Sequence, residues 1–233
     1  MKQKSGLGSA LRQRIGAPAM PAAGGRPARQ ESVLMNSTRL RIFQAIYNSP
    51  CSHVRGLSRT VGVAPPSVLW HLGKLVQKGI VRSSQVGRKR IFYPSEMLDD
   101  EDVGLLSFLN REKVSAAVCA VIQNPGVPQH ELMRSSGCNG HTLRALAGRR
   151  VLDVVKDGRH RRYYPGAVID RRKDEHERRA RRSRHLLLSM LSQEGLVPEM
   201  TDAGRGFLEI RVRLGTATET LRFRRNPYDF SQR

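Results

Sequence analysis

The sequence predicts a mainly α-helical chain with small β-hairpins, an α+β fold built from two tandem copies of one unit and followed by a C-terminal helix and hairpin. Three observations predict it. Residues 86–94, VGRKRIFYP, match residues 157–165, DGRHRRYYP, at an offset of 71, which also aligns Ile80-Val81 with Val151-Leu152. Upstream, IFQAIYNSP resembles AAVCAVIQNPG, and VRGLSRTVGV resembles QHELMRSSGC at an offset of 75. Keeping both offsets removes about four residues, roughly one helical turn, from the second copy between Gly137 and Val151. Finally, apolar residues recur at helical spacing before each repeated block and give way to short strand-like runs within it.

Each element of the first copy can be justified in order. Leu40, Phe43, Ile46 and Tyr47 predict an amphipathic helix over 36–48, which Ser49-Pro50 terminates. Leu57 and Val61 supply a short second helix and Gly62-Val63 a turn. Pro65-Pro66 then stand in the first turn of a third helix, where proline is tolerated. On that helix Val68, Leu72 and Leu75 share one face, while Pro66, Ser67, Trp70 and Lys74 point the other way. Gly79 ends it, and residues 80–84 and 88–93 form a hairpin about Gly87. Helix, helix-turn-helix, hairpin is the winged-helix order. The expected architecture is therefore two tandem winged helix-turn-helix domains with small β wings. In the second copy the third helix begins at Asn139-Gly140-His141-Thr142, with Leu143 and Leu146 inward and Arg144, Arg149 and Arg150 outward. Gly137, Gly140 and Gly148 weaken it.

Charge divides the chain further. Lys and Arg number 41 against 20 Asp and Glu, a formal net charge of +21, which points to a polyanionic partner. Hydrophobic residues at 39% and aromatics at 5% support small cores rather than one large interior. Between Glu31 and Glu96 stand ten basic residues and no acid, and the block closes at an acidic patch over 96–102. The expected division is a disordered basic arm over 1–32, a first winged-helix domain over 33–96, an acidic linker or connecting helix over 97–112, a second winged-helix domain over 113–168, and a C-terminal region over 169–233. The arm has two rival readings: an Arg-rich transit peptide, or sequence lying before a true start at Met35. Cys51, Cys119 and Cys138 are an odd set without C-x-x-C spacing, the pattern of a reduced intracellular protein. The longest apolar run, about 114–122, is half of the ~20 residues a membrane span requires. The expected location is the cytoplasm, on the nucleoid.

The segment SVLWHLGKLVQKGIVRSSQVGRKRIFYP resembles the recognition helix and wing of ArsR/MarR-type regulators, with its polar start, H-L-x-x-L, G-I-V and basic hairpin ending in tyrosine. The tandem is similar to two-winged-helix regulators common in archaea. The resemblance implies a third helix in the DNA major groove and a wing on the backbone or minor groove. Position by position it places Ser67, Trp70 and Lys74 on the exposed reading face and Arg88, Lys89 and Arg90 at the wing, with His71 at the edge of the buried face. In the second unit the corresponding residues are His141, Thr142 and Arg144 on the helix and Arg159, Arg161 and Arg162, beside His160, on the wing. Lysine and arginine contacts to phosphate supply salt-dependent affinity. Trp70 offers an indole N–H and a broad apolar face, better suited to a thymine methyl than to a bidentate code, although packing against a neighbouring helix or a dimer mate would also account for it.

Other chemistries find less footing. Cys51-x-His53 and Cys138 with His141 have partial metal-ligand spacing without reaching four ligands. Metal-sensing ArsR members carry paired cysteines on the helix before the turn, where this chain reads GLSRTVGV. No phosphate-binding loop, nucleophile elbow or H-E-x-x-H motif occurs, so neither an enzyme nor a cofactor is expected. At the C-terminus, a charged helix over about 167–194 ends in LLLSML, and residues 207–214 and 218–224 alternate as two strands about Gly215. A lone hairpin is marginal in water, so it needs either the preceding helix or a second copy, and a homodimer is expected. The function expected is sequence-specific regulation of transcription on double-stranded DNA. Its alternatives are a nucleic-acid-associated factor without base selectivity and a winged-helix module that binds proteins.

Overall fold

Asn36 opens the first helix by accepting a hydrogen bond from the Arg39 backbone N–H at 3.0 Å. This is a computed structural model, and it describes residues 32–95, 97–202 and 206–230. The basic arm expected over 1–32 lies, apart from Ser32, outside the described residues. Helix α1 (Ser37–Asn48) buries Leu40, Phe43, Ile46 and Tyr47, the stripe read from the sequence. A two-residue strand, β1 (Ser52–His53), leads into α2 (Val54–Val61). His53 caps α2, its Nδ1 accepting from the Gly56 N–H at 3.1 Å. Gly62 leaves the helix at φ 72, a left-handed conformation that glycine adopts without penalty. Ser58 Oγ closes the turn by donating to Val63 O at 2.6 Å.

Helix α3 (Pro65–Gln77) starts with two prolines, whose missing N–H groups would have no acceptor within the helix. Val68, Leu72 and Leu75 are fully buried. The hairpin β2 (Val81–Val86) and β3 (Lys89–Pro94) follows. Its strands run slightly later than the 80–84 and 88–93 expected, because Val86 pairs with Lys89 and leaves Gly87-Arg88 as a two-residue turn. Gly87 has φ 59, as a type II′ turn requires at its first central position.

The acidic stretch expected as a linker or connecting helix over 97–112 contains a packed helix, α4 (Asp100–Leu109). Asp99 and Asp102 cap it reciprocally, Asp102 N donating to Asp99 Oδ1 at 2.8 Å, and Val103, Leu106, Phe108 and Leu109 are buried in the second of two cores. The second copy runs α5 (Glu112–Gln123), β4 (Val127–Pro128), α6 (Gln129–Ser136), α7 (Gly140–Gly148), β5 (Leu152–Asp157) and β6 (His160–Pro165). It repeats the element order of the first, and the antiparallel sheets β1-β3-β2 and β4-β6-β5 repeat the strand order. The missing turn falls in α7, which has 9 residues against 13 in α3.

Helix α8 (Ala167–Gln193) connects the two cores. Ile169 at its start packs into the second and Leu187 and Leu191 near its end into the first. Beyond it a third sheet forms from β7 (Glu199–Asp202), β8 (Phe207–Leu214) and β9 (Ala217–Arg224). The sequence predicted the last two strands and not β7. The need of this hairpin for a partner is met inside the chain: Leu208, Ile210, Val212, Leu221 and Phe223 join the first core with α1 and the end of α8. Phe223 lies edge-on to Tyr47 with ring centroids 5.0 Å apart, and Asn48 Nδ2 donates to Arg222 O at 2.8 Å. Among the described residues of 169–233, those of the sheet complete the first core, while Tyr228 and Phe230 return to the second.

Candidate nucleic-acid interface

The outward face of α3 carries the three residues expected on it. Ser67, Trp70 and Lys74 are exposed, Trp70 at 57%. His71 turns inward at 9% exposure, and its ring packs edge-on against Trp70 at 4.9 Å. Burial, then the Arg39 guanidinium, lowers its pKa below the ordinary 6.5. His71, carried over with the recognition helix but expected at the edge of the buried face, is on the packed stripe: the i+3 spacing from Val68 draws it there, against Trp70. Two cations stand close to the indole. Lys74 Nζ lies 5.8 Å and Arg39 6.0 Å from the ring centroid, inside cation–π range.

In the β2–β3 hairpin, expected as the first wing, Arg88, Lys89 and Arg90 are all exposed, Arg88 in the turn. Arg90 is held by Ser83, whose Oγ accepts from Nη2 at 2.8 Å and from Nε at 3.0 Å, and it lies 5.6 Å above the Phe92 ring. A groove between α2, the wing and the start of α5 is lined by His53, Arg59, Arg88, Lys89 and Arg111. Burial, followed among the lowering charges by Lys89, Arg59 and Arg55, depresses the pKa of His53, outweighing a backbone hydrogen bond that raises it.

The second unit presents less. His141 and Arg144 are exposed on α7, but Thr142 is used locally: its backbone N–H and its hydroxyl both donate to Asn139 Oδ1 at 2.9 Å. On the wing Arg159 and Arg161 are exposed. Arg162 is tied down, Nε donating to Asp157 Oδ2 at 2.6 Å and Nη1 to Gly126 O at 3.2 Å. Arg149 and Arg150 are exposed, as expected, and Arg149 also lies 4.8 Å over the Phe108 ring of α4.

Two residues of this surface escaped the sequence reading. Leu69 is 51% exposed beside Trp70; an apolar residue one position off the Val68–Leu72–Leu75 stripe was the available signal. Arg39 reaches Trp70 only because α1 packs on α3, and nothing local announces it.

A helix-turn-helix is the class of element that α2, Gly62 and α3 build, and the comparisons agree. Residues 36–105 match the family HTH_HVO_0163_N, described as an N-terminal HTH domain. An uncharacterized HTH-type transcriptional regulator of Methanocaldococcus jannaschii is 34% identical over 86 residues, 37% of this chain. The chain spans 22% of the length of that curated relative. Among solved structures, human N-acetylserotonin methyltransferase in complex with SAM aligns at 16% identity over 51% of this chain and 37% of its own, with a TM-score of 0.26. IdeR of T. acidophilum aligns at 10% identity over 87% and 96%, with a TM-score of 0.21. Among the described residues no helix is long and apolar enough to cross a membrane.

Proposed function

We propose that the chain is a transcriptional regulator that binds double-stranded DNA sequence-specifically through two tandem winged helix-turn-helix domains of ArsR/MarR-like, archaeal type. The observation that carries this reading is the outward face of α3: Ser67, Trp70 and Lys74 stand exposed and flanked by Arg39 in a helix-turn-helix matched over 36–105. Around it, residues 32–95 hold ten basic side chains and no acid. In this reading α3 enters the major groove, while Arg88 and Lys89 lie on phosphates.

The second unit is auxiliary. Its shorter α7 and the internal ties of Thr142 and Arg162 leave His141, Arg144, Arg159 and Arg161 for contact. The protein works without catalysis or cofactor, on nucleoid DNA in the cytoplasm. A homodimer would bind half-sites about one DNA turn apart, through a surface other than the inner face of the third sheet, which its own chain covers.

Salt-titrated binding of the full chain to a selected genomic duplex and to random duplexes tests the reading. The expected result is a clear preference for the selected duplex and a steep loss of affinity with salt. Equal affinity for all sequences leaves only an unselective nucleic-acid-associated factor. Absence of binding at low salt contradicts DNA binding and turns the exposed Leu69 and Trp70 toward a protein partner.

A further inference from the structure

We propose that α3 reads methyl groups: Leu69 and Trp70 form one apolar step that selects thymine, through its C5 methyl, at neighbouring positions in the major groove. The proposal rests on the DNA-binding reading above and states the chemistry that the site recognises.

Leu69 and Trp70 are adjacent in sequence, 51% and 57% exposed, and both belong to the face of α3 away from the core. From Pro65 to Gly73 the outward hydrogen-bonding groups are only the Ser67 hydroxyl and the Trp70 indole N–H, since His71 turns inward. The first two turns hold no Arg, Asn, Gln, Asp or Glu. The bidentate pairs that distinguish guanine or adenine cannot form there, and apolar contact with the thymine methyl is the remaining direct readout for large apolar side chains. One turn on, Gly73 carries no side chain, and nothing lies within 4 Å of where its Cβ would stand. Lys74 and Arg39 flank the ring at 5.8 and 6.0 Å, and the surrounding stretch without acids suits the polyanion that presents those methyls. An apolar protein surface would gain nothing from these cations.

Duplexes selected from a random pool by the full chain are resynthesised with deoxyuridine in place of each thymine in turn. That removes the methyl and leaves pairing and groove hydrogen-bonding atoms unchanged. At two neighbouring positions the expected loss is about fourfold each, equivalent to ~0.8 kcal/mol per buried methyl-sized group. At the same positions 5-methylcytosine should bind more tightly than cytosine by a similar factor. In Leu69→Ala and Trp70→Ala the deoxyuridine penalty should vanish at the position each residue covers, whereas Leu69→Met and Trp70→Phe should retain it. Thermal melting of each variant establishes that it is folded.

If deoxyuridine changes nothing while the selected duplex is still preferred, methyl reading is overturned and DNA binding stands. A penalty that persists in both alanine variants overturns the assignment to these two residues. Absence of binding to any duplex at low salt overturns both readings.

Discussion

Asp102 is fully buried and its charge is still fully answered. Tyr228 OH donates to its Oδ1 at 2.7 Å, His176 Nε2 donates to its Oδ2 at 3.0 Å, and Arg172 Nη1 stands 3.8 Å away. Burial pushes the carboxyl pKa up, but the hydrogen bonds from His176 and Tyr228 outweigh it and hold the carboxyl below its ordinary 3.8. The same Asp102 completes the cap of α4. Tyr228→Phe removes one hydrogen bond from this buried anion and should cost about 1.5–3 kcal/mol, read by denaturant unfolding. These partners lie 74 and 126 residues from Asp102, so no local pattern could have announced them. On the reading face the chemistry was more legible, because polar and apolar positions of one helix separate by spacing alone. Lys74→Ala should weaken binding to all sequences about equally and flatten the salt slope by about one unit, read by salt titration.

At the scale of elements, the helices and the paired hairpins follow from periodicity and from glycine at the turns. The strands β1, β4 and β7 do not. Two residues are too few to alternate, and Glu199–Asp202 becomes a strand because β8 offers an edge to pair with. The cap of α2 illustrates a second kind of hidden feature, since His53 is an uncommon N-cap and looked in sequence like half a metal site. Its pKa in the folded chain lies below the ordinary 6.5, chiefly through burial, so the unfolded chain takes up the proton first. The stability it contributes is complete above 6.5 and is lost as pH falls from there through the lowered folded value. Asparagine caps helices well and does not titrate. His53→Asn should therefore lose less stability than the parent between pH 7.5 and 5, measured by urea unfolding across that range; His71, lowered in the same sense, leaves a residual slope in both.

Across the whole molecule, the repeat was visible in sequence but the way the chain closes on itself was not. The C-terminal strands showed one apolar face and no indication of what would cover it, because a strand's partner is set by tertiary placement. That partner is α1 with the end of α8, so the third sheet helps to hold the helix that carries Arg39 and on which α3 packs. Phe223→Ala opens a cavity against Phe43 and Tyr47 and should cost about 3–5 kcal/mol. Unfolding by heat should show that loss in the first core, with α1 and the third sheet melting together. The central claim, that α3 of the first unit is the reading element, has a direct reporter, because Trp70 is the only tryptophan in the chain. Titrating the full chain with a selected duplex while recording tryptophan emission should give a saturable change in intensity that follows the binding curve from anisotropy of the labelled duplex. Tight, sequence-selective binding with unchanged tryptophan emission would contradict it.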